Sequence, residues 1–265
     1  MSSGWLLKRL HLCYVPLDDR FKEHVRSVCH SLEDLELKDC KCDIQSITSH
    51  SLKTLVLKRC RWNNLEEITS PKLKTLVIVS GSNVSFRPVV ILAPAVAYLH
   101  LPVNVRRFCG GISMNEMPSL AKSSIYLHGH RYSGPSGGPG GDQVKLLRCV
   151  SNVTSLELCS VGTTVLGEEP AFLEFKNLRS LMLGNCDLSD NFRTLRFFLQ
   201  NSPYLEKLTL RCCHFPKYSK KKKGTPNLNK TSSLSSVAWI SCVRISRLKS
   251  CINMVMSNVK LTKIE

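Results

Sequence analysis

The stretch Leu52-Lys53-Thr54-Leu55-Val56-Leu57-Lys58-Arg59-Cys60 sets apolar residues at its first, fourth and sixth positions and a cysteine at its ninth. Leu55 and Leu57 alternate with Thr54, Val56 and Lys58. A period of two sends the leucines to one face and the other three to the opposite face, which predicts a short strand with one buried side. So short a strand cannot bury its leucines alone. It needs further copies of itself, stacked so that they share a core.

The copies are present. Working outward, the same pattern starts at Leu7, Leu32, Leu73 and Val96, then at Val153, Leu178, Leu205 and Leu234. Between them, Ser119 to Leu127 keeps Ile125 and Leu127 as its last two apolar positions and carries Lys122 where the first should be, so it reads as a degenerate module. The ten modules run from residue 7 to residue 234 in nine steps of roughly 25 residues, inside the 20–29 range of leucine-rich repeats. The expected fold is an α/β leucine-rich-repeat solenoid, a curved horseshoe. Its concave face carries a parallel sheet and its convex face helices or irregular turns. The domain spans residues 1–242, with 243–265 as a C-terminal extension or capping segment that includes a possible edge strand from Val259 to Ile264.

The connections differ along the chain. Asp18 and Asp19 stand as N-caps of a helix bearing Phe21, Val25 and Val28. The segment from Cys40 to Leu52 is too short for a full helix, which leaves 3₁₀ or irregular turns there. Asp142 opens a short helix with Val144, Leu147 and Val150, and a helix from about Asp190 carries Phe192, Leu195, Phe198 and Leu199 up to Pro203. Residues 129–141, rich in glycine and proline, form a loop without the Lys-Ser/Thr that a phosphate-cradling turn requires.

Thirteen cysteines raise the question of disulfides or metal, but the number is odd and the start of the chain does not read as an export signal. Counting eight residues from the first apolar position lands on Cys40, Cys60, Cys186, Cys213 and Cys242, and once on Asn104. That is the slot where the repeats turn the chain out of its strand, so these cysteines are structural. Cys40-x-Cys42 and Cys212-Cys213-His214 lack a second ligand pair at zinc spacing, and His128 and His130 lack a carboxylate partner. Neither a metal nor a cofactor is expected.

Lysine and arginine number 37 against 20 acidic residues, a net charge of +17. Much of the excess is C-terminal: from Lys207 to Ile264 there are 13 basic residues and no acidic one. The run Lys220, Lys221, Lys222 and Lys223, in a loop at 216–230, has two readings. One is a solvated loop bounded by Pro216, Gly224 and Pro226; the other is a nuclear import or nucleic-acid contact. The apolar runs fall short of a membrane span, so the expectation is a cytoplasmic or nuclear protein without membrane contact.

In a parallel stack the residues between the leucines line up as columns on the concave face, the expected partner-binding surface. The candidate residues are Glu36, Thr54, Val56, Lys58, Thr75, Val77, Tyr98, His100, Tyr126, Glu157, Met182, Lys207 and Arg211. Val56, Val77, Val79, Tyr98 and Tyr126 form an apolar and aromatic centre, the anatomy of a protein interface. The degenerate module would show Ser124, Tyr126 and His128. No nucleophile elbow, zinc-helix motif or dinucleotide fingerprint occurs, so no enzymatic activity is expected. Sequons at Asn83, Asn152 and Asn229 are attributed to chance.

The modules Ser31-Leu-Glu-Asp-Leu-Glu-Leu-Lys-Asp-Cys40, Ser51 to Cys60, Pro71 to Ile78, Met117 to Leu127, Ser151 to Leu158 and Phe175 to Leu183 resemble the repeat region of the plant F-box/leucine-rich-repeat proteins. The likeness extends over nearly the whole chain and is specific up to Cys213. It implies the substrate-recognition subunit of an SCF-type ubiquitin ligase, in which an N-terminal F-box docks to a Skp-type adaptor and the repeats hold a protein substrate. The first module starts six residues after Met1. The expectation is therefore a truncated or repeat-only form that docks to the adaptor only where a longer form carries the F-box.

Overall fold

The computed structural model describes residues 6–21, 23, 29–103, 107–127, 146–161, 173–189 and 192–214, and the backbone of 260–263. Its strands are numbered β1 to β18 in chain order. Ten of them form one sheet: β1 (Arg9–Cys13), β3 (Asp34–Lys38), β6 (Thr54–Lys58), β9 (Thr75–Val79), β12 (Tyr98–Val103), β14 (Lys122–Leu127), β15 (Ser155–Cys159), β16 (Ser180–Gly184), β17 (Lys207–Arg211) and β18 (Lys260–Lys263). Every pairing is parallel and in sequence order. One strand per repeat, laid beside the last, is the solenoid that the spacing of the leucines predicts as far as β17; beside β17 lies β18, from the C-terminal extension, where the spacing calls for the module from Leu234.

The register explains why the pattern has to be strict. Leu35, Leu55, Leu76 and Leu99 pair in one row, and Leu37, Leu57 and Ile78 in the next. All seven are buried. Each leucine removes apolar surface from water only because its neighbours in the adjacent repeats do the same, at roughly 1.5–3 kcal/mol per fully buried side chain.

The outer walls of the first five repeats differ from the expected irregular turns. Between Cys40 and Leu52 the chain makes two short strands, β4 (Lys41–Cys42) and β5 (Ser46–Thr48). Their counterparts build two more parallel sheets. One contains β2 (Pro16–Leu17), β4, β7 (Arg61–Trp62) and β10 (Ser82–Asn83); the other contains β5, β8 (Glu67–Thr69), β11 (Val89–Leu92) and β13 (Ile112–Met114). Repeats of nearly equal length keep their short segments level, so backbone groups freed by each bend find partners in the next repeat. The cross-section here is three-walled. Leu17, Cys42, Trp62 and Asn83 line one inner wall in register, and Ile47, Ile68 and Ile91 line the other.

Asn83 is buried and completes its wall with its side chain: Nδ2 donates to the Leu65 carbonyl at 2.7 Å, and Oδ1 accepts from the Leu65 N–H at 3.2 Å. That use of the amide leaves the sequon at Asn83 no free nitrogen to modify in the folded chain.

Later repeats are backed by helix. Residues 146–149 form a helical turn that buries Leu146 and Leu147, and α1 (Arg193–Gln200) buries Leu195, Phe198 and Leu199. α1 starts at Arg193, later than expected, because Phe192 has φ 62° and cannot sit inside a right-handed helix. Near the N-terminus Asp18 caps as expected, its Oδ1 accepting the Phe21 N–H at 3.1 Å. Val25, Val28, Asp142, Val144 and Asp190 lie outside the described residues, as do His128, His130 and the glycine-rich and lysine loops. So do Asn104, Asn229, Cys242 and the module from Leu234 to Trp239.

Two devices turn each strand into its bend. The residue just after the strand adopts positive φ in seven repeats: Tyr14, Asp39, Arg59, Ser80, Ser160, Asn185 and Cys212, at 51–60°. In the slot that follows, a thiol donates to the backbone of the preceding repeat. Cys40 reaches the Leu12 carbonyl at 3.5 Å, Cys60 that of Leu37 at 3.3 Å, Cys186 that of Leu158 at 3.6 Å and Cys213 that of Leu183 at 3.2 Å. The equivalent slot in the fourth repeat holds Gly81, where an added Cβ would come within 3.0 Å of the Cys60 carbonyl oxygen.

The degenerate module is shifted from its expected register. Leu99 pairs with Ser123 and Leu101 with Ile125, so the repeat reads Leu120-x-x-Ser123-x-Ile125, two residues earlier. Leu120 supplies the first apolar side chain, and Ser123 takes a leucine position in the buried row. Because the shift is even, Ser124 and Tyr126 keep their face, joined there by Lys122 in place of His128.

Two measurements test this account. Ser123 is buried and its hydroxyl finds no hydrogen-bond partner among the described residues. Ser123→Ala should therefore raise stability by about 1 kcal/mol in denaturant titration. Ser80 is exposed at φ 52°, so Ser80→Gly should stabilise by about 0.5–1 kcal/mol net of chain entropy, and Ser80→Val should destabilise.

Candidate functional site

Alternation along the strands leaves one face of the ten-stranded sheet open. Its central column, rung by rung, is His11, Glu36, Val56, Val77, His100, Ser124, Glu157, Met182 and Thr209. On one side run Arg9, Asp34, Thr54, Thr75, Tyr98, Lys122, Ser155, Ser180 and Lys207. On the other, Cys13, Lys38, Lys58 and Val79 precede Tyr126, Cys159, Gly184 and Arg211. The residues expected on the binding face are thus all on one surface. The four lysines Lys220 to Lys223 lie outside the described residues.

At the N-terminal end the charges neutralise one another across rungs. Arg9 meets Asp34 at 3.1 Å, and Glu36 receives Lys58 at 2.7 Å with His11 at 3.8 Å. The hydrogen bond from Lys58 holds the Glu36 carboxyl below the usual carboxylate range. Beside the face, Lys53 and Glu33 pair at 2.8 Å, and Arg59 grips Asp39 through two hydrogen bonds of 2.7 and 2.6 Å. Each such surface pair adds little stability alone. Together they link successive repeats in register and use up the acidic groups of this end.

A less polar band follows. Thr54, Val56, Thr75, Val77 and Val79 are half-buried, and Tyr98 stands 38% exposed at its edge. Next to it, four side chains gather around Glu157. Ser124 Oγ donates to Glu157 Oε2 at 3.0 Å, while Tyr126 Oη and Cys159 Sγ lie 3.5 and 3.7 Å from Oε1. The His100 ring meets Tyr126 edge-on, centroids 5.4 Å apart. Burial pushes the Tyr126 hydroxyl up to about 12 and the Cys159 thiol up to about 11, and lowers His100 below its ordinary value. Gly184 makes room for this arrangement, since an added Cβ would sit 2.8 Å from Cys159 Sγ.

Ser124 gives its hydrogen bond to a carboxylate, and His100 meets the Tyr126 ring edge. Glu157 differs from the face's other acids, Asp34 and Glu36, in having no lysine, arginine or histidine within ion-pair distance among the described residues. Past it, Met182 leads to Lys207 and Arg211, both exposed.

Single residues of this cluster are visible in the sequence, but their convergence is not. They come from positions 100, 124–126 and 157–159, and the rung that joins them is the misregistered one. Counting from Leu120 would have brought in Lys122 and aligned Ser124 with Glu157.

Comparison with known proteins gives two relatives. Over 204 residues, 70% of the chain, it is 31% identical to the meiotic F-box protein MOF of rice (Oryza sativa subsp. japonica), covering 42% of that protein. Over 219 residues, 79% of the chain, it is 27% identical to a putative F-box/LRR-repeat protein of Arabidopsis thaliana, covering 39% of it. The chain spans about two fifths of the length of these curated relatives. No family model matches, and no solved structure does. No helix among the described residues is long and apolar enough to cross a membrane.

The cluster carries a measurable signature. A base whose folded pKa is depressed stabilises the fold above its unfolded value, near 6.5, and that contribution is lost as pH falls through the folded value. His100 should therefore titrate below 6.5 by NMR. Folding stability should fall below about pH 6.5, less steeply in His100→Gln.

Proposed function

We propose that this chain, homologous over its repeats to the plant F-box/leucine-rich-repeat proteins, holds a protein substrate on the open face of its ten-stranded sheet for an SCF-type ubiquitin ligase. The homology and the solenoid make it a protein-interaction scaffold. The observation that supports the finer reading is the face itself. A half-buried aliphatic band with Tyr98 beside it is bordered by paired charges on one side and by Glu157, Lys207 and Arg211 on the other. Apolar anchors within a polar rim are what a specific protein interface requires. Adaptor docking, in this reading, is the work of an F-box, the element named in both relatives. The site works by binding, without a catalytic group or cofactor, in the cytoplasm or nucleus. The alternative use of Lys220 to Lys223 on nucleic acid has composition alone behind it.

Photo-crosslinking in plant cells tests the assignment. A crosslinker at Val77, on the face, should capture a discrete protein whose ubiquitination falls when the chain is depleted. The same group at Phe86, exposed between β10 and β11 on the outer walls, should not capture it. Equal capture at both positions, or a captured protein whose ubiquitination is unchanged, would count against the reading.

A further inference from the structure

We propose that the bound substrate segment is extended, runs across the strands, and places a lysine or arginine side chain on Glu157. Its flanks then carry an aliphatic residue toward Val77 and an acidic residue toward Lys207 and Arg211. This rests on the substrate-binding reading above and adds the chemistry the substrate must present.

Charge complementarity carries the argument. The protein has a net charge of +17, yet Glu157 in the central column has no cation of its own among the described residues. The two other acids of the face are each bridged from a neighbouring rung. Ser124, Tyr126 and Cys159 hold the carboxylate in place with polar hydrogens alone. They leave its charge for a ligand to neutralise, and a fixed, partly desolvated carboxylate is a strong acceptor for a guanidinium or ammonium group. His100 does not fill that role, because burial favours its neutral form. The cations Lys207 and Arg211, two rungs on, have no acid within ion-pair distance among the described residues and fit a carboxylate from the same ligand.

The rungs set the spacing. Neighbouring parallel strands lie about 4.8 Å apart, and an extended chain advances about 3.3 Å per residue. Val77 on β9 is three steps from Glu157 on β15, roughly 14 Å or about four residues. From β15 to β17 is two steps, roughly 10 Å or about three residues. The recognised segment is thus an aliphatic residue, a cation about four residues away, and an acid about three residues further on.

The test is fluorescence anisotropy of the full chain with synthetic peptides that carry leucine, lysine and aspartate at that spacing, in both chain directions, on a serine/threonine background. The peptide should bind in one direction. Replacing its lysine by glutamate should weaken binding at least tenfold. Glu157→Gln should weaken the lysine peptide, and Glu157→Lys should reverse the preference toward the glutamate peptide. Thermal melts of both variants must match the parent, and Glu157→Gln alone decides the matter if Glu157→Lys fails to fold. Equal binding of lysine and glutamate peptides, an unchanged preference in Glu157→Gln, or binding of neither peptide would overturn the proposal. In each case crosslinking from Val77 to a whole protein reports separately on the substrate-binding reading.

Discussion

A strand with one buried side cannot exist alone, and this protein is built on that constraint. Leu55 and Leu57 are buried because Leu35 and Leu37 lie on one side of them and Leu76 and Ile78 on the other. Stability is therefore passed from neighbour to neighbour instead of being concentrated in one centre. β1 shows the converse: with one neighbouring strand among the described residues, its Leu10 and Leu12 are only partly buried. Everything the face presents to a partner is spaced by this stacking.

Stacking at one strand separation also demands that the chain leave every strand in the same way. The positive-φ residue reverses its direction within one step, and its N–H still serves the ladder, as when Asp39 N donates to the Lys58 carbonyl at 2.9 Å. A non-glycine residue in that region carries a conformational cost. Its recurrence in seven repeats shows that the closure it permits outweighs the cost. The buried thiol is the complementary part. It is small enough for the bend and donates weakly to a carbonyl of the preceding repeat, while Asn83 does similar work with a full amide. Thiols engaged in this way are structural members, which accounts for four of the thirteen cysteines, Cys40, Cys60, Cys186 and Cys213.

How much could be read in advance follows from period and length. The strands of the main sheet were legible wherever leucines hold their positions, because three apolar residues at fixed intervals are a strong signal. The signal failed at β14, where Lys122 and Ser123 break the pattern and the eye slides by two to Ile125 and Leu127. Faces survive an even shift and neighbours do not, so Tyr126 was placed on the right surface beside the wrong residues. The outer strands were illegible for another reason: two or three residues, as in Lys41–Cys42, are too few to show any period. Their existence depends on pairing with equally short segments about 20 residues away, which is a property of the stack. The ionic ladder from Arg9 to Lys58 likewise becomes visible only once the register places Glu36 opposite both His11 and Val56.

The same register gives the open face its division of labour. Acids near the N-terminal rungs sit one strand separation from lysine or arginine, so they are satisfied internally and serve alignment. Glu157 follows the irregular rung, where Ser124 and Tyr126 stand beside its carboxylate. Hydroxyl groups can orient a carboxylate without cancelling its charge. The rung that was obscure in the sequence is thus the one whose hydroxyl groups orient Glu157. Among the described residues the face keeps unpaired charges of both signs, Glu157 next to the irregular rung and Lys207 and Arg211 two strands on, and in the reading proposed above a partner satisfies them.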